Sequence, residues 1–115
     1  MNRLVIIYTV FANLKEAKTI SEELLKEKLV ACVNIFPEVN SLYLWMDRVN
    51  NSRETVAIMK SRNDHIDKTL KKIEAMHSYN QPSIMVIPIK KANKSFIDWV
   101  NNVLSECIKA KYDGV

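Results

Sequence analysis

Among the 115 residues, two histidines and two cysteines are the side chains best suited to hold a soft or borderline metal ion. His77 opens the polar segment H-S-Y-N-Q-P, so it can act from a loop as a ligand. The same place suits a histidine that hydrogen-bonds across a helix-to-loop transition. His65 follows Asp64 at the expected start of a helix and reads as a surface residue. Cys32 sits inside the apolar run L-V-A-C-V, where a small buried thiol competes with a ligand. Cys32 and Cys107 form no C-x-x-C pair, so the sequence carries no zinc signature. Catalysis finds no support: no Ser-His-Asp or Cys-His grouping assembles, and Glu38, Asp47 and Glu54 are scattered carboxylates. The single glycine, Gly114, excludes glycine-rich phosphate loops.

A second group is aromatic. Tyr43, Trp45 and Tyr79 can line a cleft between subunits or pack an oligomer interface, since each has an apolar body and a polar end. Lys60, at the end of a strand, can face a pocket with His77 or lie along the surface with its ammonium in water.

The elements that position these groups follow from periodicity. Leu4 to Val10 is a continuous apolar run and predicts a buried strand. Asn13 caps a helix from Leu14 to about Lys28, with Leu14, Ala17, Ile20, Leu24 and Leu25 inward and Glu16 among the outward residues. Leu29 to Phe36 and Ser41 to Trp45 form a second strand, with Pro37 suited to an edge or bulge. "MDRVNNS" holds the turn residues, and Glu54 to Ser61 returns as a third strand. Asp64 caps a second helix with Ile66, Leu70, Ile73 and Met76 inward. Ser83 to Ile89 is a fourth strand. Ser95 and Asp98 form a capping-box variant ahead of a helix striped by Phe96, Trp99, Val100, Val103, Leu104 and Cys107. The order β-α-β-β-α-β plus a helix predicts one α+β domain over 1–115: a ferredoxin-like sandwich with a long β2-β3 hairpin.

Such a sandwich covers one sheet face with helices. These strands are apolar on both faces, beyond what a soluble monomer leaves exposed. The final helix can cover part of the second face, and a partner copy the rest, so a tight homo-oligomer is expected. The formal charge of +4 is spread along helix faces and predicts no nucleic-acid partner. The first apolar run is too short for a membrane span or signal peptide, so the expected compartment is the cytoplasm with reduced thiols.

"EKLVACVNIFPEVNSLYLW" (27–45) and "HSYNQPSIMVIPI" (77–89), with Trp99 on the last helix, resemble the CutA family of divalent-cation tolerance proteins. The resemblance runs through nearly the whole chain. It implies a ferredoxin-like homotrimer with a role in tolerance of copper and other divalent cations. It also implies an architecture like the PII signalling proteins, so signalling or scaffolding without direct metal binding is the alternative. Asp47 stands where family members carry a glycine, and Ser78 and Ser83 replace a proline and an acid. Positions where some members ligate copper are Tyr8, Met76 and His77 here. Of these His77 is a good donor and the Met76 thioether suits Cu(I). Two other activities share this topology. An RNA-recognition domain needs aromatics on its central strands, and "ETVAIMKS" has none. An acylphosphatase needs an arginine after the first strand, and "TVFANLK" has none.

Overall fold

The computed structural model describes residues 3–105. Cys107 and the segment "KAKYDGV" lie outside them. Four strands form one antiparallel sheet in the order β2-β3-β1-β4, from β1 (Leu4–Phe11), β2 (Cys32–Trp45), β3 (Arg48–Arg62) and β4 (Ile84–Pro88). Helices α1 (Leu14–Lys26), α2 (Ile66–Met76) and α3 (Lys94–Leu104) complete the α+β fold, and a short 3-10 turn at Asn63–His65 precedes α2. This is the expected sandwich.

Strand alternation sorts the sheet into two faces. Val5, Ile7 and Phe11 point to the side where Ala17, Ile20 and Leu24 of α1 and Ile73 of α2 close the main core with Ala57 and Met59. Leu4, Ile6, Tyr8 and Val10 point the other way, beside Arg62, Lys60, Ile58 and Val56. Helix α3 lies over one end of this second face, where Val100 and Leu104 pack on Leu4 and Ala31. Buried Arg62 fixes that end by donating to Asp64 through Nε (2.6 Å) and to Asn101 Oδ1 (3.3 Å). Away from α3 the face is bare: Phe36, Met85 and Ile87 are 49%, 51% and 47% exposed.

Several expected boundaries are corrected. Helix α1 stops at Lys26, because Lys28 takes a left-handed φ of 56°. Leu29 N–H then donates to Leu24 O (2.9 Å) and Lys28 N–H to Leu25 O (3.0 Å), a Schellman closure that satisfies the last carbonyls. The hairpin turn is far tighter than "MDRVNNS". Only Met46 and Asp47 turn, with φ of 52° and 61°, and β3 starts at Arg48. Two consecutive left-handed residues match the right-handed twist of the arms, so the ladder runs on to Trp45↔Arg48. Asp64 makes no cap for α2, since Arg62 takes its carboxylate. That guanidinium holds the Asp64 carboxyl below its usual range. Ser95 and Asp98 form no capping box; Asp98 pairs with Lys94 at 2.7 Å.

Pro37 sits at the expected irregularity. The register passes from Phe36↔Val56 to Val39↔Glu54, so β2 carries a bulge on this edge strand. The bulge inverts parity. Phe36 and then Val39, Ser41, Tyr43 and Trp45 all share the second face, with Glu54, Ser52 and Asn50.

Candidate functional site

Parity thus brings the aromatic group together. The bare face continues outward from Val10 into a cleft of 650 Å³ lined by Tyr43, Trp45, Ser52, Glu54, Tyr79 and Gln81, with Ser41 and Ser83 at its walls. Hydrogen bonds set two of the rings. The Tyr43 hydroxyl lies 2.9 Å from Ser52 Oγ on the adjacent strand. The Tyr79 hydroxyl donates to Glu54 Oε2 at 2.6 Å. Burial and that carboxylate push the Tyr79 phenol well above its ordinary value, so it stays protonated and keeps donating. Trp45 is 64% exposed and forms the outer wall.

His77 supports this cleft from behind. Its side chain is wholly buried. The Tyr79 backbone N–H donates to His77 Nδ1 (3.0 Å), which leaves Nε2–H to donate to Val10 O (2.8 Å). The ring stacks on Phe11 at 5.0 Å and lies against Tyr79 at 4.9 Å. With Nδ1 accepting, the 3.9 Å approach of Glu16 Oε1 is no ion pair. Glu16 instead accepts from Ala12 N–H (3.4 Å) and Ser78 N–H (3.2 Å), clamping the loop after α2 to the start of α1. Its outward placement in the helical pattern is corrected by these contacts.

The metal candidates do not converge. Both nitrogens of His77 are committed. Met76 packs against the main core on the helical side, while Tyr8 and Cys32 belong to the second face. Cys32 lies across from Lys60; burial raises its thiol above the ordinary range and Lys60 partly offsets this. Among the described residues no three His, Cys, Asp or Glu side chains gather in a cluster that could hold a metal ion. A copper centre at His77 therefore does not fit the donors of one chain. Lys60 is not beside His77: it stands across from Ile6, four residues along β1 from the Val10 carbonyl that His77 binds. Trp99 is on α3, stacked on Phe96 at 6.0 Å, outside the cleft lining. His65 is half-buried beside Arg62.

The profile of the CutA1 divalent ion tolerance protein family matches residues 5–103. The chain belongs to this family. The divalent-cation tolerance protein CutA of Archaeoglobus fulgidus is 38% identical over 98 residues, which cover 85% of this chain and 95% of that one. The crystal structure of the divalent ion tolerance protein CutA1 from Ehrlichia chaffeensis superposes with a TM-score of 0.87 at 38% identity, covering 91% of this chain and 98% of that one. The CutA1 structure from Oryza sativa gives 0.86 at 31% identity, with 90% and 95% covered. The CutA1 family assignment accounts for the resemblance read in 27–45 and 77–89. Among the described residues, no helix is long and apolar enough to cross a membrane.

Glu54 was legible only as a carboxylate without a partner. Tyr79, the residue that gives it a role, is 25 positions away. Ser41, Ser52, Gln81 and Ser83 carry no sequence signal that would place them in a cleft.

Proposed function

We propose that this chain serves tolerance of divalent cations, copper among them, as a cytoplasmic homotrimer that binds a small ligand or cation in the Tyr43–Tyr79 cleft at the subunit boundary. One observation carries the reading: the cleft is the outward continuation of a sheet face that stays apolar and uncovered in the single chain. Covering that face by another copy would leave the cleft at its margin. The relatives named for divalent-cation tolerance support the cation role. The role is binding: the cleft offers a ligand three aromatic rings and the Glu54 carboxylate. The dispersal of Tyr8, Cys32, Met76 and His77 favours a second reading, in which the trimer signals or scaffolds without a metal bound inside one chain.

Sedimentation velocity and calorimetric titration with Cu²⁺, Cu⁺ and Zn²⁺ test both. The first reading expects a trimer that binds at least one of these ions with an affinity lowered by Glu54→Gln in the cleft. A trimer that binds none selects the second. A stable monomer removes both.

A further inference from the structure

The cleft has a chemistry more specific than a small ligand. Three aromatic rings, Tyr43, Trp45 and Tyr79, share it with one carboxylate, Glu54. No lysine, arginine or histidine is among the lining residues. The nearest arginine in sequence, Arg53, alternates to the opposite face and approaches Glu38 at 3.8 Å. Arg48 stands across from Trp45 beyond the lining. Tyr79 donates to one Glu54 oxygen, Oε2. The phenol of Tyr43 is tied to Ser52, so the ring is held in place.

Aromatic faces carry negative quadrupole density and attract a cation poorly hydrated enough to leave water. A compact metal ion holds its water too firmly for ring faces and prefers several oxygens. A cation wrapped in alkyl groups has the opposite preference: its charge meets the rings and the carboxylate, and its carbons bury against apolar walls. We propose that this cleft is a site for an organic ammonium cation, with Tyr43, Trp45 and Tyr79 as its ring walls and Glu54 as its counter-charge. The inference rests on the reading of this cleft as a ligand site and specifies the ligand's class.

Choline and its uncharged tert-butyl analogue, in which carbon replaces the nitrogen, separate charge from shape. Titration by calorimetry, with the Trp45 indole N–H followed by NMR, should give saturable choline binding and move that resonance. The neutral analogue should bind about tenfold more weakly or worse, and Glu54→Gln and Trp45→Leu should each weaken choline about tenfold, the scale of one lost cation–π or charge contact. Tyr43→Leu gives a second ring test should Trp45→Leu disturb assembly. Equal affinity for choline and the analogue overturns the proposal, as does absence of choline binding at 100-fold excess over protein in a range up to about 100 mM, beyond which an affinity carries little specificity. Sedimentation and metal titration of the same samples keep the two ideas apart. A trimer that binds metal but not choline loses only the ammonium site. A monomer that binds choline with this selectivity keeps the ammonium site and loses the functional reading.

Discussion

His77 bonds through both ring nitrogens, to a carbonyl on β1 and an amide two residues on, and stacks on Phe11. Such a side chain holds structure together. His77→Ala should destabilise the fold by about 2–4 kcal/mol, from a cavity plus an orphaned carbonyl, read as a lower urea midpoint. Metal affinity per folded molecule should not change. Tyr79 gives a pH signature. Its phenol ordinarily titrates near 10.0 and is raised in the fold. The stability it contributes is fully present below that ordinary value. It is lost as pH climbs beyond it, because the unfolded chain then releases a proton the folded chain retains. Urea midpoints at rising alkaline pH should fall more steeply for the natural protein than for Tyr79→Phe. Parallel curves would remove the Glu54 contact from the account. The sequence singled out His77, Tyr79, Tyr43 and Trp45 by type. It could not show that Glu16 reaches Ser78 across 62 positions, because only the packed fold brings them within reach.

At the level of elements, hydrophobic period predicted every strand and helix, and local backbone chemistry moved the ends. With its only glycine at Gly114, the chain places non-glycine residues at three left-handed positions among the described residues, Lys28, Met46 and Asp47. Lys28 and Met46 give no turn signal of the usual kind, and the signal at Asp47 is spread on to Asn50, Asn51 and Ser52, which lie in β3. This is why α1 reads two residues too long and the hairpin turn reads too wide. Lys28→Gly should stabilise the fold by about 1 kcal/mol, since glycine enters this φ without a Cβ clash and the Schellman bonds need only the backbone. Thermal or urea unfolding measures it; a loss of stability would mean that Lys28 contributes contacts larger than its strain. The bulge at Pro37–Glu38 matters more for function. Uninterrupted alternation from Phe36 would place Leu42 and Leu44 on the second face. The extra residue puts Tyr43 and Trp45 there instead. Proline hinted at an irregularity, but not at its effect on parity.

For the molecule as a whole, the question is what covers the sheet. Rows across the second face read Cys32, Lys60, Ile6, Ile87 and then Asn34, Ile58, Tyr8, Met85. This band is largely apolar, and α3 reaches only the end near Leu4. The protruding hairpin adds exposed Leu42, Leu44, Met46 and Val49, which helps stretch the molecule to 53 Å along its longest axis. Burying such surface contributes about 25 cal/mol per Å² before association costs, so another copy of the chain is the expected cover. A charge in the band opposes that cover without touching the main core. Met85→Glu would desolvate a carboxylate with no partner beside Tyr8, at a cost of several kcal/mol in the assembled state. In the separated chain, where Met85 is half exposed, the same carboxylate stays in water. Met85→Glu should therefore sediment as a folded monomer at concentrations where the natural chain is oligomeric. Trp45→Ala should shift the same equilibrium less, because Trp45 lies outward along the hairpin. Thr19→Glu, on the exposed side of α1, adds an equal charge and should leave assembly intact. Should Met85→Glu assemble as tightly as Thr19→Glu, the second face is not where the copies meet.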